Sequence, residues 1–253
     1  YDADELKESN VVDYFLTNEK IIKTAIEDEG GILTKTGRGS APSFVLNKLL
    51  GFTTIDRFTS DIPMYSERFL TKERVLESHQ MPDIDFNVAE QEPFVKASRK
   101  IIGEHSCYPL IAFGQLKVNN AWKLYAGINN IDPQTSNEIS KAITEYNKAL
   151  KYCETEEDKE AIDILEFIPN KYIEFYEKSK KYQGIIDGCK AHACGHLLLE
   201  GDIRRKIGIK RCVSETTGKS ILTTVIDGSV LDNFGYVKND YLIVDVVALI
   251  DKF

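Results

Sequence analysis

The sequence has few of the features that mark secreted or membrane proteins. Its five cysteines are odd in number and irregularly spaced, and it contains no CxxC pair. A disulfide framework is therefore not expected, and a reducing cytoplasm is the expected location. No apolar run approaches the roughly 20 residues that a membrane helix needs, and no signal-peptide pattern occurs at the start. We expect no membrane partner.

The chain also lacks an excess of positive charge. Its 32 Lys and Arg residues are outnumbered by 40 Asp and Glu residues, giving a formal net charge of −8. Because Lys and Arg neutralise phosphates, this balance argues mildly against a nucleic-acid partner. It does not exclude an enzyme that gathers carboxylates around cations and has a basic groove elsewhere.

The order of apolar patterns predicts an α/β fold with a helical insertion. Short apolar runs bounded by Gly, Asp and Asn, typical of strands, occur before residue 115 and after residue 185. Between them, residues 136–182 have apolar residues at offsets of three and four, which is typical of helices. The first residue is Tyr1 rather than Met, and we interpret the 253 residues as a piece of a longer protein.

Two aspartates in the segment MPDIDFN are the first candidate site. In a strand, Asp83 and Asp85 project from one face, while Ile84 and Phe86 point into the core. Two carboxylates this close repel each other unless a cation neutralises them, and Mg²⁺ is a cation that prefers oxygen ligands. A solvated edge strand or a turn after Pro82 would explain the same spacing.

A third acidic residue, Asp245, lies within the apolar run YLIVDVVALI. Such runs are typical of strands buried on both faces, where a bare carboxylate is costly. Asp245 is therefore predicted either to meet a metal ion at the end of the strand or to be satisfied by backbone donors.

The segment GRGS, Gly37 to Ser40, precedes a predicted helix that ends at Gly51. Backbone N–H groups in such a turn can bind an anion, and Arg38 adds positive charge. The segment matches neither the Walker A nor the dinucleotide-binding pattern, and an ordinary strand–turn–helix connection explains it equally well.

A group of Cys and His residues allows a weaker metal hypothesis. Cys189, His192, Cys194 and His196 are spaced C-x2-H-x-C-x-H. Three of the four would share one strand face, whereas closed zinc sites draw their ligands from two knuckles or from a knuckle and a helix. The favoured interpretation is a strand that carries a His of a family motif.

Six segments occur in order along the chain: TGRGSAPSFVLNKLLG, YSERFLTKER, MPDIDFN, IAFGQLK, AHACGHLLLEG and LIVDVVAL. Together they resemble the catalytic core of bacterial DNA polymerase III alpha subunits, the C-family replicative polymerases, over roughly residues 11–250. Asn87 after the aspartates is similar to the Gram-positive branch.

The resemblance implies a polymerase-β-like nucleotidyltransferase palm with a mixed sheet and an inserted helical thumb. The implied boundaries are 1–114 for the first part of the palm, 115–185 for the thumb and 186–253 for the second part of the palm. The fingers, the N-terminal domain and the C-terminal DNA- and clamp-binding parts would be absent from the 253 residues. We expect the isolated fragment to be inactive without the fingers.

The resemblance also assigns site residues. Asp83, Asp85 and Asp245 would be the catalytic, metal-binding carboxylates, while Gly39, Ser40 and Arg68 would contact the incoming triphosphate. Two basic runs, 178–181 and 203–211, are either solvated faces or contacts to the DNA backbone. The residues of these runs predicted to bind DNA are Lys178, Lys180, Lys181, Arg204 and Arg205.

The sequence departs from the family pattern at three places. The family carries a Lys two residues before the third carboxylate, where this chain has Ile243 before Asp245. The segment after that carboxylate is VVAL instead of an FLGL-like sequence, and the HAxG motif is HACG. These departures suggest a divergent member, phage-borne or from a mobile element.

The implied chemistry is template-directed DNA synthesis by two Mg²⁺ ions about 3.5–4 Å apart. The implied partners are primer-template DNA, a dNTP, the other polymerase domains and, through regions outside this chain, a sliding clamp. Two alternatives stay open: a template-independent nucleotidyltransferase of the polymerase-β type and a catalytically inactive DNA-binding scaffold.

Overall fold

The computed structural model describes residues 2–59, 61–77, 81–82, 84–213 and 218–250. The chain divides into two compact units. One consists of Tyr1–Ala112 and Lys190–Phe253, and the other, inserted between these segments in chain order, consists of Phe113–Cys189. The helical block predicted at 115–185 lies within the inserted unit, while its assignment as a thumb stays a prediction.

The described strands are β1 Leu33–Thr34, β2 Asp85–Val88, β3 Cys107–Gln115, β4 Ile186–Leu198, β5 Ile209–Val213, β6 Ser220–Thr224 and β7 Val237–Ile243. Five of them form a mixed sheet in the order β1-β2-β7-β4-β3. Strands β2 and β7 are parallel, whereas β1 pairs with β2 and β4 pairs with β7 in antiparallel fashion. A separate antiparallel pair joins β5 and β6. The mixed sheet agrees with the predicted α/β (α+β) class.

Twelve helices occur in the described part of the chain, with 3₁₀ turns at Ala41–Ser43, Ser66–Arg68 and Ile164–Glu166. None of these helices combines the length and the apolar character needed to cross a membrane. The helices are α1 Asp2–Glu8, α2 Val12–Glu27, α3 Val45–Leu49, α4 Lys72–Leu76, α5 Glu92–Ile102, α6 Val118–Ile128, α7 Pro133–Tyr152, α8 Glu156–Glu160, α9 Asn170–Lys180, α10 Ile203–Lys206, α11 Gly228–Asp232 and α12 Asp245–Ile250.

The larger of two hydrophobic clusters in the described part of the first unit includes residues of β2 and β7. Phe86 of β2 and Tyr241 of β7 are fully buried, with ring centroids 6.0 Å apart, and Phe94 of α5 lies 5.3 Å from the Tyr241 ring. Because side chains alternate along a strand, this anchoring turns the neighbouring Asp85 and Asp240 to the opposite face. Ile84 is also buried, as predicted for it and Phe86.

The inserted unit has its own small core around Trp122, which donates its indole N–H to the carbonyl of Ser136 over 2.9 Å. Helix α6 packs against α7 and α9. Ile139 and Ile143 of α7 are buried in this core, which confirms the predicted apolar stripe. A capping box of Thr155 and Asp158 starts α8.

Two local predictions are corrected. The run YLIVDVVALI is not one strand, because β7 ends at Ile243 and α12 begins at Asp245. The helix expected after GRGS is divided into the 3₁₀ turn Ala41–Ser43 and the short helix α3, since Phe44 between them has an extended backbone. The predicted stop at Gly51 is confirmed by its left-handed φ of 78° and its N–H bond to Lys48.

Candidate functional site

The centre of the candidate site is a pair of carboxylates on adjacent parallel strands. Asp85 of β2 and Asp240 of β7 are partners in the register. Both are partly buried, and both follow the alternation that places the aromatic residues Phe86 and Tyr241 in the core. Directly opposed residues on one face of a sheet are close neighbours, so the two carboxylates form one negatively charged patch.

The electrostatics of Asp85 reflect this placement. Burial raises the pKa of Asp85 above its ordinary value, and the charge of Asp240 raises it further. The guanidinium of Arg38 opposes both effects on the Asp85 pKa. The site therefore holds negative charge that protein cations offset only in part, a condition that favours a bound cation.

Asp245 is not brought to this pair. It is exposed in the first turn of α12, two residues beyond the end of β7. The partner of Asp85 in β7 is Asp240, and the three residues from there to Ile243 alone span roughly 10 Å of strand. The carboxylate expected inside a buried strand is therefore a solvent-exposed helix residue. Asp83, the other member of the predicted trio, lies outside the described residues.

Gly39 lies directly against the carboxylate pair. It has a left-handed φ of 60°, and a Cβ atom added to it would lie 3.1 Å from Oδ2 of Asp85. Glycine is thus the residue that lets the GRGS backbone approach Asp85 closely. Ser40 follows it and accepts hydrogen bonds from the N–H and hydroxyl of Ser43 through its carbonyl. Arg68 is exposed at the end of the 3₁₀ turn Ser66–Arg68.

A His and a Cys of β4 border the pair on the Asp240 side. His192, Cys194 and Asp240 each offer a ligand atom, and these atoms lie within 4.8 Å of one another. Gly195, the register partner of Asp240, donates its N–H to Nδ1 of His192 over 2.8 Å. Burial, followed by the charge of Asp240, raises the pKa of the Cys194 thiol to about 11.

The four-residue zinc set considered from the sequence is not assembled. The structure groups His192 and Cys194 with Asp240 instead of Cys189 and His196. His196 is buried, its ring packs 5.5 Å from that of Tyr241, and its Nδ1 lies 2.9 Å from the carbonyl of Cys194. Burial lowers the His196 pKa to about 4, so the ring is neutral.

Gln91 links β4 and β7, the strands that carry His192, Cys194 and Asp240, through two hydrogen bonds. Its side-chain amide donates to the carbonyl of Ala193 in β4 over 2.6 Å and to the carbonyl of Tyr241 in β7 over 2.7 Å. Ala193 lies between His192 and Cys194, and Tyr241 follows Asp240. One side chain at the start of α5 therefore holds the backbone on both sides of the site.

Most of the predicted DNA-binding residues form salt bridges with acidic residues close to them in the sequence. In the inserted unit, Lys178 pairs with Glu174 and Lys180 pairs with Glu177, both at 2.6 Å, and Lys181 is exposed at the end of α9. In the first unit, Arg204 and Arg205 approach Asp202 to 2.8 and 3.8 Å. Such exposed pairs are weak and can exchange for phosphates.

Sequence reasoning missed Asp240 and gave Arg38 and Gln91 no role at the carboxylates. A usable signal for Asp240 was present, because Lys238 precedes it by two residues, the spacing that the family shows before its third carboxylate. The apolar run around Asp245 drew attention to an acid that the structure places at the start of α12 and not opposite Asp85. No local pattern identifies Gln91, since both of its partners are more than 100 residues away.

The comparisons with known proteins identify the family. The family model described as the bacterial DNA polymerase III alpha NTPase domain matches residues 1–243. The chain belongs to this family. DNA polymerase III subunit alpha of Staphylococcus epidermidis is 29% identical over 232 residues, covering 91% of this chain and 20% of the relative. The resemblance stated from the sequence is confirmed.

Further members of the family give the same picture. DNA polymerase III subunit alpha of Bacillus subtilis is 24% identical and matches 100% of this chain but 22% of its own length. That of Chlamydia pneumoniae is 28% identical, with 91% of this chain and 18% of the relative covered. The chain therefore spans about a fifth of the length of these curated relatives.

Proposed function

We propose that the chain is the palm and thumb part of a DNA polymerase that transfers deoxynucleotides from dNTPs to a primer 3′-hydroxyl under the direction of a template. The observation that carries this proposal is the in-register pair of Asp85 and Asp240 in a chain of the polymerase III alpha family. Carboxylates from two neighbouring strands form the kind of site on which two-metal phosphoryl transfer depends.

We assign the third carboxylate to Asp240, together with Asp83 and Asp85, in place of Asp245. Three observations support this assignment. Asp240 is the register partner of Asp85, Lys238 precedes it at the family spacing, and the family match ends at residue 243, which includes Asp240 and excludes Asp245. The supposed departure at Ile243 then disappears, because the family lysine corresponds to Lys238.

The donor set suits Mg²⁺. Asp85 and Asp240 offer hard oxygen ligands, and a divalent cation would offset the Asp240 charge that, after burial, raises the pKa of Asp85. When bound, two such ions supply activation of the primer 3′-hydroxyl and neutralisation of the leaving pyrophosphate. The protein's part is positioning: Gly39 brings the GRGS backbone beside Asp85, and Arg38 supplies positive charge close to it.

The remaining assignments follow from the same proposal. Gly39 and Ser40, with Arg68, would contact the triphosphate, and the basic residues 178–181 and 204–205 would track the DNA backbone. Primer-template DNA, dNTPs, the other polymerase domains and a clamp are the proposed partners. The bacterial or phage-infected cytoplasm is the proposed place of action.

Primer extension by the intact polymerase that contains this chain tests the proposal. Asp85→Asn and Asp240→Asn should each reduce template-dependent incorporation by about a thousand-fold or more, because each removes a metal ligand worth several kcal/mol in the transition state. Asp245→Asn is the matched control and should retain activity.

Three outcomes would contradict the proposal. Incorporation that does not depend on the template would favour the template-independent nucleotidyltransferase. Metal-independent DNA binding without incorporation by the unmutated protein would favour the inactive scaffold. Loss of activity in Asp245→Asn with retention in Asp240→Asn would restore the assignment made from the sequence.

A further inference from the structure

We propose that His192, Cys194 and Asp240 form a binding site for a thiophilic divalent cation such as Zn²⁺, which shares Asp240 with the carboxylate pair. The site is separate from the proposed Mg²⁺ site in two of its three ligands. An ion bound there would take Asp240 away from Asp85, so the two sites exclude each other.

The geometry is close to what Zn²⁺ requires. Zinc holds nitrogen, oxygen and sulfur ligands at about 2.0–2.3 Å in tetrahedral directions, which separates ligand atoms by about 3.3–3.8 Å. Nδ1 of His192 and Sγ of Cys194 are 3.8 Å apart, and all three ligand atoms lie within 4.8 Å of one another. Side-chain shifts of about 1 Å would complete a three-ligand site with one open position.

Gly195 explains why the three side chains can converge. A Cβ atom at this position would lie 2.9 Å from Nδ1 of His192 and 3.2 Å from Oδ1 of Asp240. The missing side chain therefore leaves the space in which these two groups approach each other. The N–H of Gly195 donates to Nδ1, so this nitrogen is unprotonated and has a lone pair that an ion could use in place of the hydrogen bond.

The backbone of the site is held on both sides. Nδ1 of His196 is 2.9 Å from the carbonyl of Cys194, and Gln91 donates to the carbonyl of Ala193 over 2.6 Å. The segment that carries His192 and Cys194 is thereby fixed beside Asp240. Pre-ordered ligands of this kind lose little freedom when an ion binds.

The ligand chemistry selects the class of ion. A thiolate and an imidazole favour Zn²⁺ and Co²⁺, whereas Mg²⁺ prefers oxygen ligands alone.

Titration of the full chain with Co²⁺ under reducing conditions tests the site without any measurement of polymerase activity. We expect a thiolate-to-cobalt charge-transfer band in the wild type, which Zn²⁺ displaces at a far lower concentration than Mg²⁺ does. The band should vanish in Cys194→Ser. The Co²⁺ affinity should fall by about 100-fold in His192→Ala and in Asp240→Asn, since loss of a ligand costs at least as much as loss of a group that orients one.

Two controls keep the result interpretable. Cys153→Ser removes a partly exposed thiol of the inserted unit and should leave the band unchanged. Asp85→Asn should retain the band, although this variant disables the proposed polymerase site, so failure of one proposal can be told from failure of the other. No band in the wild type, a band that survives Cys194→Ser, or an affinity unchanged by Asp240→Asn would overturn the inference.

Discussion

Asp85 and Asp240 face each other across the parallel strands β2 and β7, although 155 positions separate them in the sequence. A local sequence motif alone does not determine the position of either residue. The pairing depends on the buried aromatic residues beside them, Phe86 and Tyr241, which fix which face of each strand turns inward. A register slip of one residue would turn Asp240 into the core.

Divalent-ion binding by the chain itself should depend on Asp240 and not on Asp245. Asp240→Asn removes one of two neighbouring charges, so we expect Mn²⁺ affinity to fall by about tenfold or more. Asp245→Asn changes an exposed helix residue and should leave the affinity unchanged. Electron paramagnetic resonance of free Mn²⁺ measures both. Equal losses in the two variants would contradict the assignment of the site.

The sequence predicted the secondary-structure elements more accurately than the tertiary contacts between them. Alternation in PDIDFNV correctly placed Ile84 and Phe86 in the core, and the stripe in α7 correctly placed Ile139 and Ile143. The error at Asp245 arose because a short apolar run is compatible with either a strand or a helix, and here the run contains the end of one and the start of the other.

Which acid opposes Asp85 is a property of register, and register is set by pairing between segments far apart in the chain. The contact of Gln91 with two distant carbonyls is equally non-local. The cluster of His192 and Cys194 with Asp240 also needed the tertiary structure, because the sequence alone suggested Cys189 and His196 as their partners.

Removal of the Asp85 charge should stabilise the protein at neutral pH when divalent ions are absent. Burial and then Asp240 raise the Asp85 pKa in the folded state, so the folded protein binds this proton more tightly than the unfolded chain. The resulting penalty is present above the folded pKa and disappears as the pH falls below the unfolded value of 3.8.

Urea unfolding of wild type and Asp85→Asn at several pH values measures this effect. The variant should have the higher free energy of unfolding at pH 7, with a difference that shrinks towards pH 3.8. Asp245→Asn is the control and should lose about 0.3–1 kcal/mol, because its charge lies at the N-terminal end of a helix. If Asp85→Asn is less stable than the wild type at pH 7, ionised Asp85 does not destabilise the folded protein and the prediction is wrong.

Gly195→Ala should damage both stability and the site. The added Cβ would lie 2.9 Å from Nδ1 of His192, 3.0 Å from Leu110 and 3.2 Å from Asp240. Overpacking of this kind costs about 1–3 kcal/mol, and relief of the clash would displace His192 or Asp240. Gly188→Ala in the same strand meets nothing within 4 Å and should change stability by less than about 0.5 kcal/mol. Thermal unfolding that does not distinguish the two variants would contradict this account.

We expect Gln91 to position the carboxylate pair, so that its substitution weakens divalent-ion binding there. Gln91→Ala removes two hydrogen bonds, at 2.6 and 2.7 Å, and leaves the carbonyls of Ala193 and Tyr241 without this donor. At about 0.5–1.5 kcal/mol for each bond, we expect a loss of about 1–3 kcal/mol in the free energy of unfolding and weaker Mn²⁺ binding.

Gln91→Glu should be at least as harmful as Gln91→Ala, since a carboxylate cannot donate to the two carbonyls and adds negative charge next to Asp240. Gln134→Ala offers a matched control, because that amide bonds only weakly to exposed Glu138 in its own helix and should cost less than about 0.5 kcal/mol. Mn²⁺ affinity separates positioning from stability alone: an affinity unchanged in both Gln91 variants under conditions where the protein stays folded would show that β4 and β7 hold Asp240 in place without this bridge.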